Sequence, residues 1–385
     1  MNSSAAISDE EIVDLESNDT ILMFDSDYMD ILLNMSGSTS DEMIDHRVIA
    51  DIVKSVNLYC IPFIVLAGII GNSLSLLVFT CSHLKRVSSS VYLSALSITD
   101  TGLLVMIFIV WLESVNVSTY HKNGWCQLVE YMSHVCAFLS VWFIISFTVE
   151  RYIAIFHPGR SQEMCTTKRS IGVVILMVFI GCSGYLSIIW TVHAQKFGRF
   201  YMCIALPQYR HLLTGVATAN VVLNLIVPIV AIAVLNMLIT QKIAAFYNTK
   251  TFIENEVHGR RERNTSYRTQ ITVTRILLIV SSVYLMLNMP FYCIQLHLFM
   301  MNHVKDTWTP SPSESLWRCL FQIVHYVSFS IKFYLYTLYS TRFRYSLKGL
   351  FTKYKFIWSK RMDSTIRRRR SPTTERDTFA MMEFY

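Results

Sequence analysis

Glu150 and Arg151 stand side by side in the segment TVERYIAIFHPG, residues 148–159. The residues before them, from Ala137 to Thr148, carry no formal charge. Burying an ionisable side chain in a membrane costs free energy, so such a side chain usually marks a functional site. The pair therefore predicts a functional site at the end of an apolar helix; the alternative is that both side chains merely reach out to the membrane surface.

The composition indicates a membrane protein. Of the 385 residues, 52% are hydrophobic and 16% are charged, against about 25% charged in ordinary soluble domains. A bilayer-spanning helix needs about 20 apolar residues. Seven stretches meet this length, at 55–81, 89–112, 124–157, 168–192, 210–245, 266–300 and 315–340. We expect an all-α fold, a seven-transmembrane helix bundle without the internal repeat of many transporters.

The distribution of charge predicts the orientation. With the N-terminus outside, 8 Lys and Arg residues lie outside, 25 lie inside and Lys332 lies within a span; this is the positive-inside pattern. Glycosylation sequons at Asn2, Asn18 and Asn34 agree with an outer N-terminus. The expected regions are an acidic extracellular tail (1–53), a seven-transmembrane domain (54–340) and a basic cytosolic tail (341–385).

The spans carry features that a plain apolar helix does not need. They are Asn72 in the first span, Asp100 in the second, Pro228 in the fifth and Pro290 in the sixth. The two prolines are expected to kink their helices. In the third span, Cys126 precedes Arg151 by 25 residues, or about 37 Å of helix. Cys126 is therefore expected at the outer surface and Arg151 at the inner one.

These residues resemble, in span, order and depth, those of rhodopsin-like (class A) G-protein-coupled receptors, over about residues 55–352. The resemblance implies that Glu150, Arg151, Tyr152 and Tyr336 serve G-protein coupling. In this family the acid holds the arginine at rest. Outward movement of the sixth span then frees the arginine to line the G-protein pocket.

The resemblance also implies a disulfide between Cys126 and Cys203 on the oxidising side of the membrane. Cys60 and Cys319 lie near the same face; they either form a second bridge or are ordinary buried thiols. The segment TRFRYSLKGLF, 341–351, resembles the short amphipathic helix that lies on the inner membrane surface in this family.

Two ligand classes of the family are disfavoured. Amine receptors have an aspartate where this chain has Ser133, and opsins have a lysine where it has Tyr326. A peptide ligand is favoured instead. The tentative ligand contacts, aromatic and polar residues of the outer helix ends, are Ser133, His134, Tyr292, Gln295 and His325.

The outer tail agrees with a peptide ligand. Residues 1–50 hold 12 acidic residues and 1 basic residue, a charge that can concentrate a cationic ligand. Tyr28, among acids, resembles a tyrosine-sulfation site. A solvated arm with no ligand role is the alternative for this segment.

Several family positions are altered. LMLNMP places Asn288 where a tryptophan usually stands, and SIKFYLY places Lys332 and Phe333 where Asn-Pro usually stands, with Tyr336 retained. These forms are similar to invertebrate neuropeptide receptors of the FMRFamide and myosuppressin type. The missing tryptophan puts in doubt the tryptophan switch that is usual in the family, but it does not put the fold in doubt.

The function that the resemblance implies is a multi-pass plasma-membrane receptor that couples an extracellular peptide, a neuropeptide, to heterotrimeric G proteins. The alternatives are a decoy or scavenging receptor that does not signal, and a channel or carrier. No enzymatic activity, cofactor, metal site or nucleic-acid partner is expected. Arrestin, a receptor kinase and membrane lipid are expected partners of the inner tail, which holds 12 basic and 4 acidic residues.

The resemblance gives Lys332 a specific partner. Its position matches a family asparagine that faces Asp100 across a small cavity, where a sodium ion usually sits beside a serine, here Ser140. We expect the Lys332 ammonium to pair with Asp100 as a tethered cation, because an unpaired buried ammonium costs several kcal/mol. The alternative is that Lys332 reaches toward the inner surface. The expected polar core of the bundle consists of Asn72, Asp100, Ser140, Asn288 and Lys332.

Overall fold

The structure, a computed structural model, describes residues 40–117, 119–197, 200–253, 261–304 and 311–370. Its longer helices lie side by side as a bundle, and one short hairpin lies at one end. In chain order the elements are α1 (Ser40–Cys81), α2 (Ser88–Trp111), α3 (Trp125–Phe156), α4 (Pro158–Met164), α5 (Thr167–Gly184), α6 (Ile188–Thr191), β1 (Val192–Phe197), β2 (Phe200–Ala205), α7 (Arg210–Val221), α8 (Val227–Ile253), α9 (Arg261–Val304), α10 (Pro312–Ser330), α11 (Lys332–Tyr339) and α12 (Thr341–Arg370).

The predicted seven-helix bundle is confirmed. Within the described ranges, six helical stretches are long and apolar enough to cross a membrane: Lys54–Cys81, Ser88–Val115, Trp125–Phe156, Thr167–Thr191, His211–Phe246 and Val273–Leu298. The seventh predicted span is divided into α10 and α11, which are separated at Ile331. The third span lies at the centre of the bundle, since 78% of its most apolar window is buried.

The fifth span is irregular just before its proline. A π-helical segment, Val222–Ile226, separates α7 from α8, and Pro228 follows it. Proline lacks a backbone N–H and cannot bond the carbonyl four residues earlier, that of Asn224. The π-helical turn lies at the position of that missing bond, a common arrangement near functional sites. Pro290 lies inside α9, and its predicted kink stays a prediction.

The first span packs closely against the broken seventh span. A Cβ on Gly68 would lie 2.7 Å from the Ser330 Cβ and 3.1 Å from its Cα. One turn further along, Asn72 Nδ2 donates to the Phe329 carbonyl at 3.0 Å. The last carbonyls of a helix have no partner in their own helix. The Asn72 amide therefore caps α10 where the chain breaks.

The end of the bundle where α3 begins, which the sequence analysis predicts to be the outer one, is covered by a hairpin that the sequence analysis did not predict. β1 and β2 are antiparallel, with Ala194 opposite Cys203. The predicted disulfide joins Cys203 to Cys126 at the start of α3, so it holds the hairpin over the bundle. Cys60 and Cys319 are free thiols in this structure. Cys319 is buried and donates to Asn57 Oδ1 at 3.4 Å, so the buried-thiol alternative describes it.

The two tails lie partly outside the described residues. Asn2, Asn18, Asn34 and Tyr28 all precede residue 40, and their modifications stay predictions. α1 begins at Ser40, within the segment that the sequence analysis assigned to the outer tail.

The segment predicted as a surface helix begins α12. Phe343 is 1% exposed and packs against the ring of Tyr336 at 5.6 Å. Phe351, about two turns further along the helix, is 57% exposed. The first turn of the helix thus packs on the bundle, and contact of its remainder with lipid stays a prediction.

Candidate functional site

Glu150, at the inner end of the third span, accepts hydrogen bonds from three serines. Ser88 and Ser89, which begin α2, donate to its Oε1 at 2.8 and 2.7 Å. Ser170 of α5 donates to its Oε2 at 3.1 Å. Glu150 is 5% exposed, and hydrogen bonds to a buried carboxylate are stronger than bonds between neutral groups. The carboxylate therefore connects three helices at the inner face.

Arg151 belongs to the same cluster. Its Nη2 lies 2.5 Å from Glu150 Oε1, and its side chain is 4% exposed. The structure thus contains the ion pair between these neighbouring residues. Tyr152, third in the predicted triplet, is half-buried and stacks on Phe156 with ring centroids 4.5 Å apart.

A cavity lies close to this cluster. Ser89, which donates to Glu150, lines one side, and Tyr336 of α11 lines another. Val273 and Leu277 of α9 complete its wall, so the sixth span forms part of the cavity. A movement of α9 would change the shape of this cavity beside the Glu150–Arg151 pair.

The middle of the bundle contains a buried ion pair. Lys332 Nζ lies 2.6 Å from Asp100 Oδ2, and the two side chains are 3% and 0% exposed. Ser140 Oγ donates to Asp100 Oδ1 at 2.7 Å, and Lys332 Nζ is also 3.2 Å from that hydroxyl. The ammonium lies 5.5 Å from the Tyr284 ring centroid, within range of a cation–π interaction. This geometry is the one expected for a tethered cation.

The sixth and seventh spans are joined by the amide of Asn288, the residue at the family's tryptophan position. Its Oδ1 lies 2.5 Å from His325 Nδ1 and accepts from Ser328 Oγ at 3.2 Å. The His325 ring stacks on Phe291, with centroids 4.4 Å apart. A hydrogen-bonded amide therefore stands between the two helices where family members have an indole.

The predicted ligand contacts are only partly brought together. His325 and Tyr292 face each other, with ring centroids 5.5 Å apart. Ser133 is fully buried, and its hydroxyl has no hydrogen-bond partner among the described residues. His134 Nδ1 donates to the Glu130 carbonyl at 2.8 Å. Gln295 is half-buried nearer the outer end of α9, with no hydrogen bond described for it.

Two polar groups of the outer half were missed by the sequence analysis. The first is Glu130, which accepts from Tyr120 Oη at 2.5 Å and is 1% exposed. Its charge within the third span was a signal available from the sequence. The second is a cluster in which Tyr185 Oη donates to Asn220 Oδ1 at 2.8 Å and Asn224 Nδ2 donates to Tyr185 Oη at 3.1 Å. Asn224 of this cluster lies in the π-helical turn, which the sequence does not specify.

The outer ends of the sixth and seventh spans are joined by a further contact. His297 Nε2 lies 3.0 Å from Glu314 Oε1, and Ser311 donates to Glu314 Oε2 from its backbone N–H and its hydroxyl, each at 2.8 Å. Partial burial acts to raise the pKa of Glu314, but the hydrogen bonds from Ser311 and His297 outweigh it and lower that pKa. Glu314 therefore stays ionised and completes a capping box with Ser311, the N-cap residue of α10.

Similar proteins include three kinds of receptor. A 31% identity over 123 residues relates the chain to an FMRFamide peptide receptor of Caenorhabditis elegans, covering 30% of this chain and 28% of that receptor. The human thyrotropin-releasing hormone receptor is 24% identical over 315 residues, 74% of each chain. The mouse growth hormone secretagogue receptor type 1 is 30% identical over 146 residues, 37% of this chain and 38% of that receptor.

A family model extends this similarity through the bundle. The model of the seven-transmembrane receptors of the rhodopsin family matches residues 71–334. The match runs from Gly71, in the first span, to Tyr334, beyond the break in the seventh. It contains the Glu150–Arg151 pair, the disulfide and the Asp100–Lys332 pair. The chain belongs to the rhodopsin family of seven-transmembrane receptors.

Proposed function

We propose that the chain is a plasma-membrane receptor, with its N-terminus outside, that binds an extracellular peptide and activates heterotrimeric G proteins. One similar receptor is named for a peptide and another for a hormone, which supports this ligand class. Members of the rhodopsin family are signalling receptors rather than enzymes. The structural observation that carries the proposal is Arg151, paired with Glu150 beside the inner cavity.

The pair suits a two-state mechanism. At rest, Glu150 pairs with Arg151 and accepts hydrogen bonds from serines of α2 and α5. These contacts hold the inner ends of three helices together. Ligand and G protein act from opposite ends and favour the same alternative packing. Their affinities must therefore be coupled reciprocally. In that packing, Arg151 leaves Glu150 and contacts the G protein.

Two features bear on the other partners. The chain from Thr341 to Arg370 is a helix rich in Lys and Arg, and basic residues near a membrane favour anionic lipid by about 1 kcal/mol each. The tail beyond it carries Ser371, Thr373 and Thr374, acceptors for a receptor kinase. We infer that phosphorylation there recruits arrestin, since phosphate adds charge and strong hydrogen-bond acceptors.

The proposal is tested in cells that express the receptor at the surface. A peptide library is applied while G-protein dissociation and membrane current are recorded. We expect dissociation without current; current would favour a channel or carrier, and binding without dissociation would favour a decoy.

The matched variants are Arg151→Ala and Arg160→Ala, since Arg160 is an exposed arginine near the same inner face. Arg151→Ala should keep ligand binding within several-fold and lose most G-protein activation. Arg160→Ala should keep both. Full signalling by a well-expressed Arg151→Ala variant would overturn the assignment of the coupling site.

A further inference from the structure

The sixth span has no acidic side chain of its own. No Asp or Glu stands between Glu262 and Asp306, a stretch that contains the residues of α9 that line the cavity. Arg151 pairs with its neighbour Glu150 instead. An ion pair between Arg151 and an acid of the sixth span therefore does not hold that span, and other contacts must set its resting position.

Asn236 of α8 supplies such a contact. Its Nδ2 donates to Ser281 Oγ of α9 at 2.9 Å, and Ser281 is buried. The Ser281 hydroxyl has two acceptors within reach, the Leu278 carbonyl of its own helix at 3.1 Å and Asn236 Oδ1 at 3.2 Å. A hydroxyl can accept and donate at the same time. The fifth and sixth spans are thus joined by a hydrogen bond of defined geometry.

Ser281 lies between the cavity and the turn of α9 that contains a proline. Pro290 lacks the N–H that would bond the Met286 carbonyl, so the backbone has one restraint fewer in this turn, and such turns are usual places for a helix to bend. Asn288 fastens the same turn to α10 through His325. Seven residues separate Ser281 from Asn288, or about 10 Å of helix.

We propose that Asn236 is a positioning residue for signalling, which holds the sixth span against the fifth in the resting packing and releases it on activation. The inference rests on the G-protein-coupled function proposed above. The structure has the resting packing, because Arg151 is paired with Glu150.

A small movement of α9 is enough to break the contact. A tilt of about 10° at the Pro290 turn moves Ser281 by about 2 Å, given about 10 Å of helix between them. A side-chain hydrogen bond is lost once donor and acceptor are about 3.6 Å apart. Ser281 and Asn236 have short side chains, which cannot extend to follow such a movement. The bond therefore belongs to the resting packing alone.

A contact that is made only at rest changes the balance between the two packings. One neutral hydrogen bond of this kind biases a two-state equilibrium by roughly two- to tenfold. If the contact instead serves only to stabilise the fold, it persists in both packings. Its loss then lowers the melting temperature and leaves signalling without ligand unchanged, because only a difference between the two states shifts their populations.

The test records G-protein activation without any peptide, in cells with matched surface expression. Asn236→Ala and Ser281→Ala should each raise this basal activation by roughly two- to tenfold, and the double variant should rise no further, because both remove the same bond. Ser282→Ala is the matched control. Ser282 is the exposed neighbour of Ser281, 3.3 Å from Asn236 Nδ2, and its substitution keeps the Asn236–Ser281 bond, so basal activation should stay at the unmodified level.

A second measurement follows the sixth span without a G protein. Spin labels are attached to Arg160→Cys and Arg275→Cys, two exposed positions on α4 and α9, in a receptor whose other exposed cysteines are replaced by serine. Pulsed electron resonance on the peptide-free receptor should show an added population of changed distance in Asn236→Ala and none in Ser282→Ala.

The two measurements separate the inference from the function on which it rests. Unchanged basal activation and unchanged distances in both Asn236→Ala and Ser281→Ala would overturn the inference, as would equal effects of Ser282→Ala or strongly additive effects in the double variant. A changed distance in Asn236→Ala without G-protein activation by any variant would support the positioning role and count against the G-protein-coupled function instead.

Discussion

Removing one partner of the buried Asp100–Lys332 pair should destabilise the receptor, and removing both should restore part of the loss. The Nζ–Oδ2 distance is 2.6 Å. At an effective dielectric constant of about 20, this separation corresponds to an attraction of about 6 kcal/mol, most of which offsets the cost of burying both charges. A single substitution leaves an uncompensated buried charge and should cost about 3–5 kcal/mol.

The assay is thermal unfolding of the purified receptor in lipid nanodiscs. Asp100→Asn and Lys332→Ala should each lower the melting temperature, and Asp100→Asn with Lys332→Asn should recover part of the loss. Ser140→Ala is the matched control, because it removes a hydrogen bond to Asp100 and leaves both charges. Its cost should be about 1.5–3 kcal/mol. A double variant no more stable than either single variant would refute the pairing.

Sodium provides an independent measure of the same pair. Lys332→Ala removes the ammonium and leaves the oxygens of Asp100 and Ser140 around a space that favours a cation. Sodium should then begin to modulate agonist affinity in this variant. It should have no such effect on the unmodified receptor, where the ammonium occupies that space. Sodium-sensitive agonist binding by the unmodified receptor would contradict the tethered-cation interpretation.

Three further predictions concern packing, the disulfide and acid stability. Gly68→Ala should lower the free energy of unfolding by about 1–3 kcal/mol through overpacking, whereas Gly172→Ala, with open space around it, should not; thermal unfolding distinguishes them. Cys126→Ala and Cys203→Ala should each reduce surface expression, and the double variant should be no worse; strongly additive losses would contradict a shared bond. Because the pKa of Glu314 is lowered by folding, its contribution to stability is complete above about pH 4.5 and is lost as pH falls through the lower folded value. The melting temperatures of the unmodified receptor and Glu314→Gln should therefore converge as pH falls below about 4.5, and a constant difference would count against this role.

Much of the fold follows from the sequence because membrane burial imposes strong constraints. Apolar length predicts the spans, and the basic residues predict their orientation. Lys332 needed the family resemblance as well, since the resemblance implied Asp100 as its partner and the cost of a buried ammonium explains only why a partner is required. The seventh span is the element least described by apolar length, because its break at Ile331 depends on tertiary contacts with Gly68 and Asn72.

The candidate site was less predictable where it depends on contacts between distant segments. Glu150 and Arg151 are neighbours in the sequence, so their pairing could be predicted. The serines that donate to Glu150 are distant in the sequence: those of α2 lie 62 and 61 residues away, and that of α5 lies 20 residues away. The outer hairpin and the π-helical turn are likewise set by packing. Glu130 differs from these, because an acid within a predicted span is itself a signal and its role could have been considered from the sequence.

Reciprocal coupling between ligand and G protein tests the central claim most directly. The purified receptor is placed in nanodiscs, and its affinity for an activating peptide is measured with and without nucleotide-free heterotrimeric G protein. The G protein should raise the peptide's affinity, excess guanine nucleotide should abolish this gain, and Arg151→Ala should show little gain in either condition. Peptide affinity that is unchanged by G protein in the unmodified receptor would contradict the assignment of this chain as a G-protein-coupled peptide receptor.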